Sequence, residues 1–142
     1  MRLLEEGIPG IPKVISPRTH RILDYLTIGA FMTFGGLFVG RSRSRTRRAG
    51  IAALANGALV LGATLFTDYN GDGSKPISFE NHGILDMVQA GFAAAAPHIF
   101  GFSEEAKSWF FPGQAMNEGI VIAMTDWEAG RRPMERIRDV AA

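Results

Sequence analysis

Asn81-His82-Gly83-Ile84-Leu85-Asp86 restates, 62 residues later, the phrase Thr19-His20-Arg21-Ile22-Leu23-Asp24. The same offset sets His20 on His82, Leu23 on Leu85, Asp24 on Asp86, Gly29 on Gly91 and Phe38 on Phe100. A second phrase closes each copy, Thr67-Asp68-Tyr69 in the first and Thr125-Asp126-Trp127 in the second, at an offset of 58. Self-similarity of this kind marks a supersecondary unit used twice. Each copy holds two apolar runs separated by a break, so the unit is a helical hairpin. The expected domain is 19–127, with repeats at 19–69 and 81–127, behind an N-terminal surface strap (1–18) and before a charged tail (128–142).

The chain has 142 residues, a formal net charge of +1 and 46% hydrophobic residues, which is one domain's worth of protein. Its mean hydropathy of +0.08 suits a soluble domain or a small membrane protein equally. The placement of charge separates the two. Residues 25–40, 49–67 and 87–103 contain no Asp, Glu, Lys or Arg. Runs of that length approach the roughly 30 Å needed to cross a hydrocarbon core at about 1.5 Å per residue. A soluble bundle whose helices are apolar all round because they are buried is the alternative, but so short a chain has little other sequence to cover them. The expected fold is therefore all-α, an integral membrane four-helix bundle in the lipid bilayer.

The strap holds Pro9, Pro12 and Pro17 and lacks the apolar core of a cleavable signal peptide. Cysteine is absent, which excludes disulfides, thiolate metal sites and cysteine nucleophiles. Helices are expected at about 20–40, 49–69, 82–102 and 114–127, with Thr19 and Asn81 as caps of the first and third. Gly35, Gly36 and Gly40, and the pairs Ala53/Gly57 and Ala58/Gly62, are small residues suited to close packing of membrane helices. Pro97 should kink the third helix or begin its unwinding. Trp109, Phe110 and Phe111 read as an interfacial stretch. The tail reads as a short amphipathic helix at the membrane surface. Five arginines and no acid at 41–48 fit contact with lipid phosphates better than specific nucleic-acid binding. Their density places that loop on the cytoplasmic side and the termini outside.

Both ends of each repeat lie at one membrane level, so His20, Asp24, Asp68, His82, Asp86 and Asp126 should converge there. His and Asp four apart share one helix face. Six such groups could hold a divalent metal, ligate a cofactor or pass protons, or they could simply cap helices in the wet headgroup layer. Asp86 and Glu118 become functional candidates if they face the bundle interior. His98 is a candidate haem or pigment ligand, and His20 and His82 are candidates for the same role. Asp68, Asn70 and Asp72 have the D-x-N-x-D-G spacing of a calcium loop, though Phe79 stands where the bidentate Glu belongs, and the alternative is a plain turn.

The Leu85-Asp86 helix start, followed by Ala96-Pro97-His98-Ile99-Phe100-Gly101-Phe102, resembles the bacterial SPW-repeat family. That resemblance implies a multi-pass protein of the bacterial inner membrane, made of two helical hairpins, and supplies no catalytic residues. No hydrolase, redox or phosphate-binding motif is present. The expected role is a non-catalytic structural or accessory subunit that packs on other membrane subunits or on itself. The alternatives are a ligand-binding protein using the His/Asp cluster or His98, and proton or ion transport through Asp86 and Glu118.

Overall fold

The computed structural model describes residues 8–131, and within them the chain is mostly helical. Four α-helices follow one another: α1 (Pro17–Val39), α2 (Ser44–Phe66), α3 (Phe79–Ile99) and α4 (Phe110–Met124). Two two-residue strands, β1 (Thr67–Asp68) and β2 (Ile77–Ser78), and 3-10 turns at Ala106–Trp109 and Trp127–Gly130 complete the order. α1 packs on α2 and α3 on α4, so the repeat is a hairpin used twice, and α2 joins the two hairpins by packing against α3. The tail helix expected beyond residue 131 lies outside the described residues.

All four helices begin three to five residues before the expected starts. The caps explain the first and third. Ser16 and Ser78, not Thr19 and Asn81, supply them: each hydroxyl accepts from the backbone N–H three residues on, at 3.2 Å in both helices. Pro17 then sits in the first turn of α1, where its missing N–H costs nothing. The Arg segment is mostly helix, since Arg45, Arg47 and Arg48 lie in the first two turns of α2. Pro97 stays inside α3, which ends two residues later. There Phe102 N–H bonds to Pro97 O at 2.8 Å and Gly101 to His98 O at 3.2 Å, a Schellman closure that needs the positive φ of Gly101.

The two hairpins are stitched reciprocally at the end where the repeats begin. β1 pairs in parallel with β2, Thr67 opposite Ile77 and Asp68 opposite Ser78. The strap does the same for the other pair of ends, with Ile15 bridged to Thr125. Asp126 N–H bonds to Ile15 O at 2.9 Å, and Ile15 N–H to Met124 O at 3.0 Å. The residue before each cap serine is thus clamped to the threonine that ends the opposite hairpin.

At the far end lies the apolar core, built from Phe31, Ala49, Ala52, Ala53, Ala93, Ala96, Phe102 and Phe111. Phe110 stacks on Phe34 at 4.2 Å, so of the expected interfacial trio only Trp109 is exposed. Small residues set the spacing of the first hairpin: a Cβ on Gly50 would come within 2.3 Å of Val39 N, and one on Gly35 within 2.6 Å of the Leu54 side chain. Gly57 faces Phe31 and Met32, while Gly36, Gly40 and Gly62 look into open space and Ala58 is exposed. α1 and α2 are each long and apolar enough to cross a membrane.

Candidate metal centre

The repeated phrases meet in space. Helix starts α1 and α3 carry His20, Asp24, His82 and Asp86, and the ends of α2 and α4 carry Thr67 and Thr125. His20 Nδ1 lies 2.9 Å from Thr125 Oγ1, and His82 Nδ1 lies 2.8 Å from Thr67 Oγ1. Each histidine therefore reaches across to the threonine of the other hairpin.

These threonines fix the tautomer. A hydroxyl has one proton to donate. Thr67 Oγ1 donates it to Ala63 O at 2.6 Å, and Thr125 Oγ1 donates it to Val121 O at 2.7 Å. Toward histidine the hydroxyls can only accept, so both Nδ1 atoms are donors. Both Nε2 atoms are left facing inward, toward two carboxylates.

His20 Nε2 is 2.9 Å from Asp86 Oδ2 and 3.3 Å from Asp24 Oδ1. His82 Nε2 is 3.2 Å from Asp24 Oδ2 and 3.3 Å from Asp86 Oδ1. One ligand atom from each of the four residues falls within 4.8 Å of all the others. His82 is fully buried, His20 is 1% exposed and Asp24 is 6% exposed. The headgroup-layer expectation for the histidines is thus corrected, because water does not reach them. An aromatic lid excludes it: His20 meets Trp127 and Phe79 edge-on at 4.9 and 5.4 Å, and Tyr69 meets His82 at 5.4 Å. Gly83 and Gly130 seat that lid, since a Cβ on either would press into Trp127 or Phe79.

Tyr69 also donates to Asp24 Oδ2 at 2.5 Å. Burial, and then the adjacent Asp24 charge, push its phenol well above the ordinary value of 10.0. Tyr69 is a donor to the cluster throughout the physiological range.

The other expected members lie elsewhere. Asp68 and Asp126 do not join the cluster but cap the turns that follow them. Asp68 Oδ1 accepts from Gly71 N–H at 2.9 Å and its Oδ2 from Gly73 N–H at 2.5 Å, while Asp126 Oδ1 accepts from Ala129 N–H at 3.2 Å. Asp72 accepts from Ser74 N–H at 2.9 Å, and the Ser74 hydroxyl, then this backbone bond, hold its carboxyl below the ordinary value. Asn70 is exposed. These are the contacts of an Asx-rich turn. His98 is exposed at the opposite end of α3, far from the cluster. Glu118 and Asp86 do face the interior, on the wall of a small cavity that His20, Asp24 and Gln89 also line. Thr67, Thr125 and Tyr69 were markers of the repeat in the sequence; here they orient the ligand atoms.

No family model, curated protein or solved structure matches this chain. The chemistry of the site is accordingly argued from its own donor set. With both histidines neutral, two nitrogen lone pairs and two carboxylates would point at one another in a largely buried site, a net charge of about −2 that burial disfavours. A divalent cation, or two added protons, removes the imbalance. The edge of a tetrahedron with metal–ligand bonds of about 2.0–2.1 Å is about 3.3–3.4 Å. The N–O contacts of 2.9 to 3.3 Å use both oxygens of each aspartate, and one ligand atom from each residue lies within 4.8 Å of the other three, so the side chains would draw inward around an ion to reach that edge.

Proposed function

We propose that this chain is a non-catalytic integral membrane protein that binds one divalent transition-metal ion between its two hairpins, through His20, Asp24, His82 and Asp86. The observation that carries the reading is the pair of His–Thr bonds, which commits both Nδ1 atoms outward and aims both Nε2 lone pairs at the carboxylates. Mixed imidazole and carboxylate donors suit zinc, iron, manganese, cobalt or nickel, whereas calcium and magnesium prefer oxygen alone. Because each repeat supplies one His and one Asp, the ion would tie the hairpins together. The cavity beside the cluster, about 20 Å³, is far too small for a haem or a pigment.

Membrane insertion is supported by the outward faces. Leu26, Leu37, Leu59, Phe66, Val88 and Met116, distributed over all four helices, are each more than half exposed. Such a coat is costly in water and ordinary in lipid. α4, at 15 residues, is about 22 Å long and would cross the bilayer only with the turns on either side of it. The role as a subunit that packs on itself or on other membrane proteins rests on Gly29, Gly62, Gly91 and Gly119, whose outer faces are open.

Elemental analysis of protein purified from metal-replete membranes tests the reading. One equivalent of a first-row metal is expected, with loss of that metal in His20→Ala and in His82→Ala. Metal-free wild-type protein that takes up no ion on titration would leave the cluster a proton-sharing latch between the hairpins.

A further inference from the structure

The cavity that opens from the cluster has a second polar wall. His20, Asp24 and Asp86 lie on one side of it, and Glu118 and Gln89 on the other, with Leu23, Val60, Val121 and Ile122 filling the rest. Glu118 is 8% exposed, and neither of its carboxyl oxygens has a hydrogen-bond partner among the described residues. A buried carboxyl group without a donor is costly enough that its retention needs a cause. Gln89 Nε2 spends one proton on Asn56 Oδ1 at 2.9 Å and carries its second on the Glu118 side, and Asn56 Nδ2 donates to Ala52 O at 2.8 Å.

Size restricts what can sit there. About 20 Å³ admits a single water-sized molecule. Its occupant faces carboxyl acceptors on the Glu118 side, so it must donate hydrogen bonds. Toward the ion it must offer a lone pair. Water meets both demands and fits the space.

We propose that Glu118 is a further binding residue of the cation site, holding through this cavity a water molecule that serves as the ion's fifth ligand. This rests on the metal reading of the cluster. It makes the centre more open than a closed four-ligand structural site, with one position exchangeable for a water-sized ligand.

Cobalt(II) as the probe ion tests it in the intact protein. Wild type is expected to give the weak visible absorption of a five-coordinate ion. Glu118→Leu, which removes the acceptor, should shift to the stronger four-coordinate spectrum and weaken cobalt affinity on the order of ten-fold. Glu118→Gln keeps an acceptor oxygen and should retain the wild-type spectrum. A Glu118→Leu protein with wild-type spectrum and affinity overturns the role of Glu118 while leaving the cluster reading intact. Wild-type protein that binds no cobalt or manganese overturns both. Should Glu118→Leu not fold, manganese(II) bound to the unaltered protein in oxygen-17 water decides: line broadening of its paramagnetic resonance supports a coordinated water, and an unbroadened spectrum overturns it.

Discussion

His20 Nδ1 and Thr125 Oγ1 lie 2.9 Å apart although 105 residues separate them, and the reciprocal pair, His82 and Thr67, repeats the contact at 2.8 Å. Neither bond is internal to a hairpin. Each histidine is oriented by the other half of the protein, so the inward aim of both Nε2 atoms exists only when the two hairpins are docked. This makes docking and ligand orientation one event.

Replacing either threonine with valine tests that coupling. Thr67→Val and Thr125→Val preserve shape but leave a buried Nδ1–H without an acceptor, at a cost of about 1–3 kcal/mol in stability. Loss of the orienting bond should also lower metal affinity by about 10–100-fold. Serine at either position keeps the acceptor and should recover most of both. Denaturant unfolding in detergent and competitive metal titration measure the two effects.

The Tyr69 phenol predicts an alkaline limit. Its pKa is raised in the fold, chiefly by burial and then by Asp24, above the ordinary value of 10.0. The stability it contributes is therefore complete below pH 10.0 and falls as the pH rises past it, because the unfolded chain ionises first. With Tyr25→Phe leaving Tyr69 as the single tyrosine, the phenolate absorbance should stay flat to about pH 11 and rise only with unfolding. A titration centred near the ordinary value, in folded protein, would contradict the burial and the Asp24 bond.

Close approach of α1 and α2 depends on Gly50. An alanine there would place its Cβ 2.3 Å from Val39 N, a backbone atom that cannot swing aside. Gly50→Ala should destabilise by about 1–3 kcal/mol through forced separation of the helices. Gly62→Ala, on an open face of the same helix, should be neutral or stabilising by up to about 1 kcal/mol. Unfolding of the two variants under identical conditions gives the contrast.

The serine caps account for where α1 and α3 begin, and each should be worth about 1 kcal/mol. Ser16→Ala and Ser78→Ala are expected to lose that amount, whereas Thr19→Ala should lose less, since the Thr19 backbone N–H is the group capped. A larger loss at Thr19 than at Ser16 would reverse the assignment.

Much of this architecture is legible in the repeat. The offset of His20 and Asp24 onto His82 and Asp86 is enough to place four polar groups at one end of a four-helix fold, and the helix spacing puts each His and Asp on one face. The caps were less visible, because Thr19 and Asn81 stand beside the repeated histidines and are also good capping residues. What favours Ser16 and Ser78 is the strand pairing of Ile15 and Ile77, a tertiary contact. The burial of the histidines was not legible, since it depends on Phe79, at the first position of α3, and Trp127, in the 3-10 turn after α4, closing over them. In the closing phrases the aspartates looked like the chemical residues and the threonines like punctuation. The fold reverses this, because a hydroxyl already committed to a carbonyl can only accept from histidine and so fixes its tautomer. Asp86 and Glu118 were the two acids whose orientation decided their reading, and both line the interior cavity.

X-ray absorption at the zinc edge, on protein loaded with one equivalent of zinc in detergent, tests the central claim most directly. The account predicts two imidazole nitrogens at about 2.0–2.1 Å with carboxylate oxygens at about 2.0–2.2 Å, and no such shell in His82→Ala, which loses the ion. A shell of oxygen alone, or a spectrum unchanged in His82→Ala, would contradict it.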